Sequence, residues 1–453
     1  MSSSLKPYPE YRDSGVDWLG PVPARWDVVR SKRVFREIDE RSGDGSEQHL
    51  AMSQKLGLIP SANLTTKHTR SASYTGAKRC MPGDIVLNRL KAHLGVFARS
   101  YHQGVVSPDY TVLRQITEID PRYFEYVYRS TAFRGELRKS VKGIVEGFWR
   151  LYSADLGRLM IPAPPLKEQR RIADFLDTYI IHIRCLVDAK RRTITLLTER
   201  KQAILTELLR DGLDGGNTVS NDLAWIDRHP IGWRVNRLKP FVSNLTELGT
   251  APPQSEAIIT LDRVESWSGR LLDESPGKGE VFTGKRFEQD DILFGKLRPY
   301  LAKVMRASTV GLAGTEFLVL RGKAGTFQPR FLEQLLRSEP FINYVSSHSV
   351  GAKMPRTEWE KIASITVAIP SISEQDRFCD NFACATSGLD KAIQRERAQI
   401  ELITEYHDSL IAAIVTGKLD VREAEIAAIE SEDFMGESVD DPDDLEGALD
   451  AVD

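Results

Sequence analysis

The residues that come nearest to catalytic chemistry are Gly279-Glu280-Val281-Phe282-Thr283-Gly284-Lys285-Arg286, whose glycines and lysine are spaced as in a phosphate loop. Such a loop needs a Ser or Thr after its lysine to hold magnesium, and Arg286 stands there instead. No strand pattern precedes the stretch and no helix pattern follows it. Pro108-Asp109 could open a nuclease carboxylate cluster, yet no Glu-x-Lys or Asp-x-Lys follows at a workable distance. There is no Gly-x-Gly-x-x-Gly cofactor loop, the eight histidines show no metal-ligand spacing, and the four cysteines form no Cys-x-x-Cys pair. The sequence therefore predicts no catalytic, cofactor-binding or metal-binding residues in this chain.

Binding chemistry is better represented. Basic residues crowd the loops: Lys67, His68, Arg70, Lys78 and Arg79 in the first half, Lys285 and Arg286 in the second. Asn88-Arg89-Leu90-Lys91-Ala92-His93 and Gly295-Lys296-Leu297-Arg298-Pro299-Tyr300 each follow directly on a predicted strand. Cations at a strand exit can reach phosphates, and arginine can also pair with guanine edges in the major groove. Later loops, Gly143–Arg150 and Gly351–Thr357, add Lys353 and Arg356. The candidate DNA-binding residues are thus Lys67, Arg70, Lys78, Arg79, Arg89, Lys91, His93, Lys296, Arg298, Tyr300, Lys353 and Arg356.

The elements that must position these residues are duplicated. Pro23-x-x-Trp26 recurs as Pro230-x-x-Trp233, an offset of 207 residues. At that offset residues 80–114 align without a gap on 287–321, with nine of 35 identical, among them Asp84-Ile85 with Asp291-Ile292 and Val112-Leu113-Arg114 with Val319-Leu320-Arg321. At an offset of 206, Glu168-Gln169 matches Glu374-Gln375, and the register holds to Leu213-Asp214 against Leu419-Asp420. Short strands (Asp84–Leu87, Tyr110–Leu113, Ile292–Phe294, Phe317–Leu320) and helices opened by Pro121 and Pro329 recur in the same order.

Each half ends in a helix with a coiled-coil seam, because apolar residues fall at alternating spacings of three and four. The first seam holds Leu176, Ile180, Ile183, Val187, Ile194, Leu197, Ile204 and Leu208, broken at Lys190 and Lys201. The second holds Phe382, Leu389, Ile393, Ile400, Ile403, Leu410 and Ile414, broken at Glu396 and His407. Gly212 and Gly417 stand where the helices should stop. An antiparallel pairing with Ile194 facing Ile403 would set Lys201 against Glu396 and Lys190 against His407, fixing register with polar layers.

The expected fold is α/β (α+β): two similar globular domains, two long antiparallel helices and a pseudo-two-fold repeat. The boundaries are 1–166 for the first domain, 167–214 for the first helix, 215–372 for the second domain, 373–421 for the second helix, and 422–453 for an acidic tail of disordered composition. The net charge of −3 conceals an asymmetry. The tail carries thirteen acids against one arginine, so the rest of the chain is at +9, a balance suited to a polyanion partner. No apolar run approaches the ~20 residues that span a bilayer, and the first residues lack a signal peptide's apolar core, so a cytoplasmic protein without membrane partners is expected.

The sequence resembles the specificity (S) subunits of type I restriction–modification systems. Tyr8-Pro9-Glu10-Tyr11-Arg12-Asp13-Ser14-Gly15-Val16-Asp17-Trp18-Leu19-Gly20 with Pro23-x-x-Trp26 looks like their N-terminal signature. Gly295–Val304 is similar to a stretch of their recognition domains, and Pro164-Pro165-Leu166-x-Glu168-Gln169 with Ile172-Ala173 looks like the start of their helical regions. The resemblance implies two target recognition domains separated by conserved spacer helices, each reading one half of an interrupted site in double-stranded DNA. It implies two methyltransferase (M) subunits carrying S-adenosylmethionine and adenine-N6 chemistry, and motor-nuclease (R) subunits using ATP and Mg2+. The alternatives are a duplicated coiled-coil scaffold without DNA recognition, which salt-sensitive binding would separate, and a self-contained DNA-modifying enzyme, which would act on DNA alone.

Overall fold

Ile85–Asn88 and Ile292–Gly295 are buried at every position, so both faces of these strands must be covered. Each occupies an inner place in a four-stranded antiparallel sheet. The first sheet runs Phe35–Ile38, Tyr110–Gln115, Ile85–Asn88, Phe97–Arg99; the second runs Val242–Leu245, Phe317–Gly322, Ile292–Gly295, Val304–Arg306. Strand order and register agree between the two, as the duplication requires: Leu113 pairs with Ile85, and Leu320 with Ile292. The structure is a computed structural model, described over residues 5–53, 57–63, 74–143, 149–213, 215–220, 223–251, 256–272, 281–351 and 354–424.

The helices after Pro121 and Pro329 use proline at the first turn, where its missing N–H costs nothing. Pro121–Arg129 buries Tyr123, Phe124, Val127 and Tyr128, and Pro329–Arg337 buries Phe331, Leu332, Leu335 and Leu336. Each side chain so buried contributes about 1.5–3 kcal/mol. Beneath each sheet a buried aspartate takes both arms of a repeated arginine. Asp84 binds Arg114 at 3.0 and 2.9 Å, and Asp291 binds Arg321 at 2.6 and 2.8 Å. Each carboxylate also accepts the backbone N–H of the residue three before it, which pins the turn into the central strand.

The long helices are Leu166–Asp211 and Ile372–Val415, each followed by a glycine in the left-handed region, Gly212 (φ +70°) and Gly417 (φ +77°). Both glycines thus stand just past the helix ends, where the sequence places the stops. The chain packs as two compact units, one running to Asp188 and resuming at Gln399, the other Ala189–Ala398. The division crosses both long helices rather than falling at their ends. In the first unit Ile172 and Leu176 share a core with Leu410, Ile411 and Ile414. In the second, Leu205 and Leu209 share one with Phe378 and Phe382. Both pairings are antiparallel.

The expected register is corrected. Lys190 does not face His407, and Lys201 does not face Glu396. Lys190 instead bonds Glu396 at 2.9 Å, Lys201 bonds Asp390, and His407 stacks on Tyr179 with ring centroids 5.7 Å apart. Lys190 thus meets a residue eleven positions before the expected one, a slide of about three turns. Such a slide returns a 3.5-residue seam to the same face, so hydrophobic spacing cannot tell the two registers apart.

The helix ends make the choice. Glu168, in the first turn of one helix, accepts Trp26 Nε1–H at 3.0 Å. Gly417, at the end of the other, packs so tightly on Pro23 that a Cβ there would lie 2.4 Å from Pro23 Cδ and 3.1 Å from the Trp26 ring. The second unit repeats this arrangement: Trp233 Nε1–H donates to Glu374 at 2.8 Å, and a Cβ on Gly212 would lie 2.9 Å from Pro230 Cγ. Each Pro-x-x-Trp motif thus holds the start of one helix level with the end of the other.

In this register Lys190 and Glu396, separated by the 206-residue helix offset, are the same repeat position facing itself. Identical residues there would be like-charged, and the two copies carry opposite charges. Lys190→Glu should lower stability by about 1–2 kcal/mol, and adding Glu396→Lys should restore most of it, as thermal unfolding of the full chain would show. A double variant no better than the single one would contradict a direct pairing.

Burial, chiefly, with a smaller push from Arg184 against the pull of Asp408, lowers the pKa of His407 below the ordinary histidine value. The folded state thus favours neutral imidazole. That stability is complete above the unfolded pKa near 6.5 and is lost as pH falls from there through the lower folded value. His407→Leu should flatten the fall in melting temperature over that acidic window, leaving the slope due to His93, which burial and Arg138 shift the same way.

Candidate nucleic-acid interface

In the first unit the loop 88–93 leaves the central strand at Asn88, a buried residue whose Oδ1 accepts the N–H groups of Leu90 and Lys91 at 3.1 and 3.3 Å. This cap turns the chain sharply and leaves Arg89, Lys91 and His93 half-buried along one loop. Leu151 N–H donates to Arg89 O at 3.1 Å, and Lys142 and Arg150 exchange backbone bonds. His93 meets the edge of Trp149 with centroids 5.2 Å apart. Two loops singled out in the sequence, 88–93 and 143–150, thus lie side by side at least through their described residues. Its lowered pKa keeps His93 neutral near pH 7, so it can offer a hydrogen bond rather than a charge.

The second unit makes the same juxtaposition with different residues. Lys296 N–H donates to Glu316 O at 2.8 Å, Arg298 N–H to Pro355 O at 2.7 Å, and Thr357 N–H to Lys296 O at 3.0 Å. Arg298 and Ala302 sit in the left-handed region at φ 48° and 49°. Conformations of this kind cost about 1–3 kcal/mol each at non-glycine residues and persist only where neighbours enforce them. Here Pro299, whose ring fixes its own φ, directly follows Arg298, and backbone bonds at Lys296 and Arg298 tie the loop to Glu316 and Pro355. The Arg298 guanidinium has no hydrogen bond or ion pair to a described residue, and Tyr300 is exposed beside it.

The other candidates divide. Lys67, Arg70 and Lys353 lie outside the described residues, as does the acidic tail from residue 425. Arg79 is exposed but bonded to Glu47 at 2.6 Å, and both oxygens of Glu316 hold Arg356 at 2.8 Å. Lys78 is a correction. Its side chain is only 2% exposed and lies 3.4 Å from Glu37 and 3.6 Å from Asp39, so the buried ammonium is held by these two carboxylates and is turned away from any DNA. A strand position read as a loop hid this: Lys78–Cys80 pairs with Gly104–Val106, which turns the lysine inward. Residues 282–286 of the phosphate-loop look-alike lie in a strand, Phe282–Phe287, paired on both edges, while Gly279 and Glu280 lie outside the described residues. Sequence reasoning missed the Trp149 contact and the Glu316 anchor, neither of which carries a spacing signal.

The description "Type I restriction modification DNA specificity domain" belongs to the family model that matches residues 59–194. The chain is 21% identical over 325 residues to the type I restriction enzyme EcoDI specificity subunit of Escherichia coli, covering 62% of this chain and 68% of that one. It is 23% identical over 433 residues to the MjaVIII specificity subunit of Methanocaldococcus jannaschii, covering 88% and 94%. A chain from a solved structure concerned with assembly and conformational transition of the type I R-M system superposes with a TM-score of 0.52 at 16% identity, covering 88% of this chain and 99% of that one, which shows likeness of fold. No helix among the described residues is long and apolar enough to cross a membrane. Family model, relatives and fold agree with the duplicated architecture, and the chain is similar over most of its length to specificity subunits of type I restriction–modification systems.

Proposed function

We propose that this chain is the non-catalytic reader of a type I complex, recognising an interrupted site in double-stranded DNA with one half-site read by each head. The observation that carries this reading is the contrast between a repeated frame and unlike loops. Asp84–Arg114, Trp26–Glu168 and the sheet order recur as Asp291–Arg321, Trp233–Glu374 and the same order, whereas Arg89-Leu90-Lys91-Ala92-His93 answers to Lys296-Leu297-Arg298-Pro299-Tyr300. Two like frames with different reading loops suit an asymmetric, two-part target. The methyltransferase subunits would bring S-adenosylmethionine and adenine methylation, and the motor-nuclease subunits ATP and Mg2+. Leu196 and Leu402, one repeat position on the two long helices, are 65% and 64% exposed, which supports a role for the helices in carrying partner subunits.

Methylated adenines mapped in cells with and without the gene should reveal a motif of two short halves around a spacer. Deleting one turn from both long helices, about 5.4 Å of rise, should change the preferred spacer by about one or two base pairs of ~3.4 Å each. An unchanged spacer would refute the helices as the ruler. Arg298→Ala should relax one half-site by about 1–3 kcal/mol, read as degeneracy confined to one half of the methylated motif; equal loss in both halves would contradict independent readers.

A further inference from the structure

Lys78 and Lys285 occupy the same repeat position, on strands Lys78–Cys80 and Phe282–Phe287. In the first head Lys78 is locked by Glu37 and Asp39. The positions 207 residues further on are Asn244 and Thr246, so the second head has lost both carboxylates while keeping the lysine. Lys285 instead donates to the backbone carbonyl of Phe317 at 2.6 Å. The repeat counterpart of that carbonyl, Tyr110 O, is met at 3.5 Å by Arg89. Arg89 in turn corresponds to Lys296, which is thereby released from the duty. The two heads have exchanged the roles of their cations.

The result is a cluster in the second head with no like among the described residues of the first. Among the described residues, Lys285, Lys296 and Arg298 have no carboxylate within ion-pair distance. Burial, and then the nearby positive charge of Lys296, hold the Lys285 ammonium below the usual lysine value, against the weaker pull of Glu358 and Glu316. An ammonium with one carbonyl partner keeps two free donors and an uncompensated charge, which an anion would satisfy.

We propose that Lys285, with Lys296, seats a DNA backbone phosphate in the second head, and that the equivalent lysine of the first head cannot do so because Glu37 and Asp39 occupy it. The proposal rests on the DNA-reading function above and adds an electrostatic asymmetry between the heads.

The test measures binding of the full chain to a long random-sequence duplex across a salt series. Each phosphate contact contributes about 0.9 to the slope of log K against log salt. Lys285→Met should lower the slope by about one, weaken binding several-fold on all sequences and leave the melting temperature unchanged, while Lys285→Arg keeps the slope. Lys78→Met should lower the melting temperature and leave the slope alone. Asn244→Glu with Thr246→Asp, which restores the first head's acidic pair around Lys285, should reproduce the slope loss with the lysine still present. An unchanged slope in Lys285→Met, or a loss of stability matching Lys78→Met, overturns the phosphate seat while leaving the DNA-reading function intact. Absence of salt-sensitive binding by the unmodified chain overturns both.

Discussion

The grip of each Pro-x-x-Trp motif on two helix ends is the constraint on which the rest of this structure depends. A tryptophan N–H bonded to a glutamate in the first helical turn places a carboxylate where the helix dipole favours it. The neighbouring glutamine finishes the joint. Gln169 accepts Asp120 N–H at 2.9 Å and donates to Pro164 O at 2.8 Å, and Gln375 does the same with Gln328 N–H and Pro370 O at 2.8 and 3.0 Å. All four bonds lie where water is scarce, so leaving any partner unmatched would cost about 1–3 kcal/mol. The glycine that ends the opposite helix admits no side chain against the motif's proline.

Register follows from this grip rather than from the helices. Between Ile183 and Lys201 no side chain of the first helix is fully buried. A seam that is only half-covered, with a period near 3.5, is stable in several registers spaced by whole turns. Docking at the ends removes that freedom, and the Lys190–Glu396 pair then falls where the repeat meets itself. The N-terminal signature serves the same purpose: Tyr8 donates to Glu168, and Tyr11 to Gly417 O at 3.1 Å. Burial first, then Glu168, push the Tyr8 phenol pKa well up, so it stays a donor at any physiological pH.

Duplication, the positions of the repeated strands and helices along the chain, and the glycine stops were all legible in the sequence because periodicity and internal identity report on backbone and core. The helix register was not, since the seam pattern repeats under a three-turn slide. Lys78 misled for a related reason: composition counts it as a surface cation, whereas its burial depends on Glu37 and Asp39, some forty residues away. The Pro-x-x-Trp and Glu-Gln repeats held the missing information. Both were visible, but nothing in either says that they touch.

The same comparison explains how one frame can bear two different sets of loops. Residues repeated between the halves are those with buried, directional partners: Asp84 with Arg114, Trp26 with Glu168, and their copies. Changing one member of such a pair strands the other, so these positions change together or not at all. Among the described residues, Lys285, Lys296 and Arg298 are tied to no carboxylate. When Glu37 and Asp39 correspond to Asn244 and Thr246, a structural lysine becomes an available one, and the carbonyl that Arg89 serves in one head passes to Lys285 in the other. Recognition can therefore diverge through exchange of partners at the loop bases while every bond that sets strand order and helix register stays fixed.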